Sequence, residues 1–151
     1  MKYLRIGCVA IFLGALAGCS GKVPANLGVR DGRLAPCPAS PNCVSSMADA
    51  EGAKIAPYSF SGGRARAEAA LKEIVVGEKG ATIIQESEGY LYVEFRSKVL
   101  GFVDDVEFYL PPQQRQVEVR SASRLGYWDL GANRRRLERL GELFRAKLAG
   151  S

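Results

Sequence analysis

The residues with the most chemical potential form a loose constellation between positions 97 and 134: Ser97, Asp104, Ser121, Ser123, Arg124, Asp129, Asn133 and Arg134. A carboxylate among arginines, hydroxyls and an amide can help hold an anionic ligand, or the group can close on itself as a structural network. The chain has no histidine, so neither a Ser-His-Asp nor a Cys-His arrangement can be built, and the commonest general base near neutral pH is missing. No catalytic residue is assigned, and a non-enzymatic protein is the expectation. Asp104 and Asp105 do not read as an acid dyad, because neighbours in a strand point to opposite faces; one surface charge and one internal partner is the simpler fate. Arg134-Arg135-Arg136 offers an anion or phospholipid-headgroup patch, or a solvated helix start with Glu138 and Glu142 as i,i+4 partners.

Whether those residues meet depends on the elements that carry them. Four strand signals follow one another closely, Ala81 to Glu86, Tyr90 to Ser97, Val103 to Leu110 and Arg115 to Ser121, separated by Glu88-Gly89, Leu100-Gly101 and Pro111-Pro112. Such spacing predicts an antiparallel meander. Period-two alternation puts Leu91, Val93, Phe95, Val106, Phe108, Leu110, Val117 and Val119 on one face, and Tyr92, Glu94, Arg96, Asp105, Glu107, Tyr109, Glu118 and Arg120 on a second face read as solvated. Helices are predicted over about Gly62 to Glu78, capped by Ser61, and over about Leu130 to Leu148, capped by Asp129. Ala67, Leu71, Ile74 and Val75, then Leu137, Leu140, Phe144 and Leu148, give each an apolar face. The expected fold is α+β: an antiparallel meander of about four strands with two helices packed on one face, preceded by an irregular disulfide-stapled segment.

Pairing Phe95 with Val106, and Val106 with Val119, aligns the apolar faces and sets Ser97, Asp104 and Ser121 side by side, pointing inward. Arg124 or Arg134 would then supply the counter-charge for Asp104, with Asp129 capping the helix and Asn133 close by. Val99, Leu100 and Phe102 cluster in a hairpin loop, free to touch lipid or a partner; packing against the N-terminal segment is the commoner fate, as it is for the other large side chains of such loops. Tyr92 and Tyr109 read as an exposed pair.

The N-terminus bears on location. Lys2 and Arg5 precede an uncharged, largely apolar run from Ile6 to Gly18, which is signal-peptide architecture and too short for a spanning helix. The run ends in Leu16-Ala17-Gly18-Cys19, which resembles the bacterial lipobox, so Cys19 is expected to carry a diacylglyceryl group and palmitate-like acyl chains. Several chains at about 0.8 kcal/mol per buried methylene anchor a protein stably. Ser20, where an aspartate would mark inner-membrane retention in a Gram-negative cell, leads to the expectation of the periplasmic face of the outer membrane. The expected divisions are 1–18 signal peptide, 19–35 lipidated N-terminus and tether, and 36–151 a single globular domain. Losing Lys2 and Arg5 lowers the 21 basic side chains to 19 against 16 acidic ones, and the formal charge from +5 to +3. That removes the compositional argument for nucleic acid as a partner.

With Cys8 in the signal peptide and Cys19 lipidated, Cys37 and Cys43 remain, and export together with the turn-rich Pro38-Ala39-Ser40-Pro41-Asn42 makes a disulfide the expectation. A tetrahedral metal site lacks a histidine and a third free cysteine, and a redox dithiol lacks the CxxC spacing. No metal or cofactor is assigned.

Three ordered blocks carry a resemblance: Leu27-Gly28-Val29-Arg30 through Pro36-Cys37-Pro38-Ala39-Ser40-Pro41-Asn42-Cys43-Val44-Ser45-Ser46; Phe102-Val103-Asp104-Asp105-Val106-Glu107-Phe108; and Arg120-Ser121-Ala122-Ser123-Arg124 through Gly126, Asp129, Gly131, Asn133, Arg134 and Arg136. Together they resemble the uncharacterised bacterial family catalogued as domain of unknown function 1499. Members often carry a lipoprotein signal, so the resemblance implies a cell-envelope location and no particular reaction. The functional expectation is an envelope lipoprotein acting as a binding or structural module, anchored through Cys19, with an anionic ligand or an envelope protein as its partner. The alternatives are an assembly factor that docks a protein, or a histidine-free enzyme acting on an anionic or lipid substrate.

Overall fold

In a computed structural model of the chain, residues 20–150 are described. The expected signal peptide and lipobox, with Cys19, lie outside them.

The predicted meander is present. β3 (Ala81–Ser87), β4 (Tyr90–Arg96), β5 (Val103–Tyr109) and β6 (Gln116–Ser123) pair antiparallel in chain order. Two short strands enlarge it to six, β1 (Cys43–Ser45) and β2 (Tyr58–Ser59), both antiparallel to β6. β6 gives one edge to β5, so β1 and β2 follow each other along its other edge, and the irregular N-terminal segment covers an edge that would otherwise be open. Helices α1 (Arg64–Val76) and α2 (Ala132–Ala149) pack on one side of the sheet. No helix among the described residues is long and apolar enough to cross a membrane.

The alternation of β4 to β6 has the physical consequence expected of it. Leu91, Val93, Phe95, Val106, Phe108, Val117 and Val119 are buried in one core with Leu71 and Val75 of α1 and Leu137, Leu140 and Phe144 of α2. Tyr58 joins that core and donates from its hydroxyl to the Leu137 carbonyl at 2.6 Å. A Cβ on Gly141 would come within 2.8 Å of the Tyr58 ring, so α2 keeps a glycine in its interior where the ring packs.

The second face of the sheet is not solvated. Leu34 is buried against Tyr90 and Tyr92, with Leu27, Val29 and Met47 around them, and Gly28 N–H donates to Glu107 Oε1 at 2.7 Å. The stretch expected as tether is therefore part of the folded domain from about residue 27 onward. Its turn at Asp31-Gly32 has positive φ at both residues and reciprocal backbone bonds between Arg30 and Arg33, the geometry a two-residue turn needs. Cys37 and Cys43 are bonded, with Cα atoms 5.6 Å apart, which ties this covering segment to the start of β1.

Four further expectations need correction. Ser61 does not cap α1, whose N-cap is Gly63 with no side-chain bond. Tyr92 is buried rather than half of an exposed pair, and Val99, Leu100 and Phe102 do not pack on the N-terminal segment but stay exposed. The pairing also differs by two residues from the expected register: Phe95 stands opposite Asp104, and Val106 opposite Ser121. A shift of two keeps every side chain on its own face, so hydrophobic patterning cannot distinguish the two registers.

Candidate functional site

The predicted constellation divides into two networks on opposite faces of the sheet, because Asp104 and Asp105 point apart. On the helix side, Asp104 Oδ2 accepts from Arg136 at 2.6 Å. Arg136 also donates to Asn133 Oδ1 at 2.8 Å and Ser121 Oγ at 3.2 Å, and its guanidinium lies 4.7 Å from the centre of the Phe95 ring. Asn133, fully buried, joins the rest: Ser121 Oγ donates to its Oδ1 at 2.5 Å, and its Nδ2 donates to the Asn42 carbonyl, to Ser123 Oγ and to Asp129 Oδ2. Asp129 takes up free amides at the start of α2, accepting from Gly131 N–H at 2.9 Å and Asn133 N–H at 2.8 Å. The N-cap of α2 is therefore Gly131 and not Asp129 as expected, and Asp129 supplies its capping bonds from two residues upstream.

The structure therefore brings together Asp104, Ser121, Ser123, Asp129 and Asn133. Ser97, Arg124 and Arg134 are elsewhere. Ser97 is exposed at the end of β4, where its Oγ accepts the Phe102 N–H and closes the hairpin loop. Arg134 lies at the surface and donates to the Gly52 and Lys54 carbonyls, fastening α2 to a short 3-10 turn, Glu51–Ala53. The three consecutive arginines diverge: Arg134 to that turn, Arg135 to the Leu130 carbonyl, Arg136 to Asp104. None of the bonds just described reaches Glu138 or Glu142.

Arg124 belongs to the second network, under the N-terminal segment. It donates to both Asp105 oxygens, the Nη2 bond being 2.7 Å, and also to Glu94 and to the Tyr92 hydroxyl at 2.9 Å. Tyr92 Oη in turn donates to Asp105 at 2.6 Å. Beside this group Arg120 donates to Glu107 at 3.0 Å, and Glu107 accepts from Tyr90 Oη at 2.9 Å as well as from Gly28 N–H. Asp105 and Glu107 are fully buried. The hydrogen bond to Asp105 pushes the Arg124 pKa up, more than burial lowers it. Burial, with Glu107 next, pushes the Tyr90 hydroxyl well above its usual range; burial and the bond to Asp105 do the same for Tyr92.

Both networks are closed. Among the described residues the one buried side-chain nitrogen or oxygen without a hydrogen-bond partner is Arg120 Nε, which shows how completely the charges are matched. Two surface grooves, of about 430 and 420 Å³, are lined by residues such as Ile55, Tyr58, Glu138 and Arg145, or Arg30, Arg33, Leu34 and Pro36. Neither contains a member of the predicted constellation, and no set of side chains arranged for a metal ion is found among the described residues.

Sequence reasoning missed the partner of Asp104 and the whole second network. Arg136 is one helical turn from Asn133 and three residues into a run of arginines, so position alone did not single it out. For the second network a signal existed: Glu107 and Arg120 stand directly opposite in neighbouring strands, and an acid facing a base on a tyrosine-bearing face is the arrangement a buried pair requires.

No curated protein and no solved structure gives a significant match to the chain. The family model described as "Protein of unknown function (DUF1499)" matches residues 33–144, a span that includes the Cys37–Cys43 bridge, all six strands and the side chains of both polar networks. The chain belongs to that family.

Proposed function

We propose that the protein is a lipid-anchored envelope lipoprotein whose folded domain serves as a non-enzymatic binding or structural module at the membrane surface. The observation that carries the anchor is the basic n-region and apolar run ending in Leu16-Ala17-Gly18-Cys19. The Cys37–Cys43 bridge supports export, since disulfides persist in oxidising compartments. Ser20 in place of an aspartate supports the outer membrane as destination in a Gram-negative cell. The non-enzymatic reading is supported by the closure of both polar networks: Arg124, Arg120 and Arg136 are each engaged by carboxylates of the same chain, the first two across neighbouring strands of the sheet and Arg136 between α2 and the sheet. An enzyme working on an anionic substrate would need such arginines in an open cleft.

The test is Cys19→Ser expressed in a bacterial host fed a labelled fatty acid. The substitution is expected to abolish labelling and to release the protein from the membrane fraction, whereas unchanged labelling contradicts the proposal.

A further inference from the structure

Apart from Val76, Ile84 and Leu143, the exposed large apolar side chains among the described residues gather in two loops and the N-terminal stretch beside them. Val99 (90% exposed), Leu100 (62%) and Phe102 (41%) sit in the loop between β4 and β5, while Leu125, Tyr127 (73%), Trp128 (66%) and Leu130 (65%) sit in the loop between β6 and α2. Topology puts both loops at one end of the sheet, since Arg96 pairs with Val103, Asp104 with Ser123, and Arg124 N–H donates to the Val103 carbonyl. Leu130 holds a positive φ of 56°, a conformation better suited to glycine, so the loop keeps a large apolar residue outward despite the backbone cost. Solvent alone gives no reason for such a patch.

The first described residues lie at the same end. Gly21 lies directly on Arg124 and Leu125, where an added Cβ would come within 2.8 Å of the Arg124 side chain. Val23 beside it is also 58% exposed. Cys19 is two residues before Gly21, about 7 Å of fully extended chain. A lipid on Cys19 would therefore bring the apolar end of the domain against the bilayer. The charges there suit an anionic surface: Lys22, Arg96 and Lys98 are exposed, and Asp129, the carboxylate in the β6–α2 loop, is occupied with the amides of α2.

We infer that this end is a membrane-docking surface: Val99, Leu100, Phe102, Tyr127, Trp128 and Leu130 enter the headgroup region of the bilayer and Lys22, Arg96 and Lys98 contact anionic lipid. An aromatic pair at the water–lipid boundary, flanked by cations, is the composition that interface favours. The inference rests on the anchor at Cys19 and adds an orientation: the domain stands end-on, with the Glu88-Gly89 and Pro111 to Gln114 turns away from the membrane.

Trp128 is the single tryptophan of the chain, which makes the inference measurable. The processed, membrane-extracted protein would be reconstituted into vesicles of phosphatidylethanolamine and phosphatidylglycerol containing brominated lipid. Trp128 fluorescence is expected to shift to shorter wavelength and to be quenched at least twofold, more by bromine near the headgroups than by bromine deep in the chains. In a Trp128→Phe, Gln113→Trp protein the reporter sits on the opposite end and should remain unquenched. Leu100→Glu with Leu130→Glu, both at exposed positions, should leave the protein vesicle-bound and reduce the quenching of Trp128. Equal quenching of the two reporters in vesicle-bound protein overturns the docking inference and leaves the anchor standing. Protein that fails to stay with vesicles at all overturns both. A blue shift without bromine quenching that grows with protein concentration assigns the patch to a second copy instead, and also overturns it.

Discussion

Arg124 is the residue whose removal should be felt most. Its side chain is 4% exposed and Asp105 beside it 1%, so Arg124→Ala leaves a buried carboxylate without its counter-charge, a loss expected to cost roughly 3–5 kcal/mol in chemical denaturation. Asp104→Ala should cost less, about 1–2 kcal/mol, because Arg136 keeps Asn133, Ser121 and the Phe95 ring and its pair, at 16% and 14% exposed, is less deeply buried. Equal losses would contradict the ranking. Tyr58, Tyr90 and Tyr92 give a pH signature. Burial raises all three pKa values above the ordinary value of about 10. The fold favours the protonated phenol, so its contribution is fully present below that value and is lost as pH rises further. Phenolate absorbance from these three should therefore appear only together with loss of the folded circular dichroism signal above about pH 10. Their ionisation in a still-folded domain would contradict the burial. At this scale the sequence showed that Asp104 and Asp105 face opposite ways, but it could not choose among five arginines between 120 and 136 as their partners.

The elements were legible where periodicity is strong. All four meander strands and both helices follow from alternation or helical spacing, since burial on one face imposes those periods. Register was not legible, because pairings two residues apart match apolar faces equally well; the hairpin closed by Ser97 Oγ on Phe102 N–H decides it. Nor were β1 and β2, strands of three and two residues in a segment without a period. Two predictions belong here. Gly141→Ala improves intrinsic helix propensity by up to about 1 kcal/mol, yet the added methyl meets the Tyr58 ring, so overpacking should win and the net effect should be destabilisation by roughly 1–2 kcal/mol in a denaturant melt. A stabilised variant would show that the ring moves aside freely. Removing the Cys37–Cys43 bridge by double serine substitution should cost about 2–3 kcal/mol in the chain-entropy model. Because the bridge holds the covering segment over Tyr90 and Tyr92, hydrogen exchange should rise first at residues 27–36; a uniform rise would contradict that role.

As a whole the molecule is a sheet covered on both sides, by two helices over the apolar face and by the N-terminal segment over the charged one. The second cover was hidden in the sequence, because an irregular run of Pro, Gly and Ser reads as a tether and a row of Tyr, Glu, Asp and Arg reads as solvated. Leu27, Val29 and Leu34 were the residues that told otherwise, apolar side chains spaced along a stretch that as a free linker would have no use for them. In this architecture Arg136 on Asp104 holds α2 to the sheet and Gly28 N–H on Glu107 holds the N-terminal segment to it, while most of the exposed large apolar side chains lie at the end of the sheet where Gly21 meets Leu125. The central claim is that this emerging chain is a lipid anchor. Intact-mass measurement of the protein extracted from bacterial membranes tests it most directly. The account predicts a species lacking residues 1–18, carrying a diacylglyceryl group and further acyl mass on Cys19, and releasing two alkylatable thiols only after reduction. An unacylated chain, or one that retains residues 1–18, would contradict it.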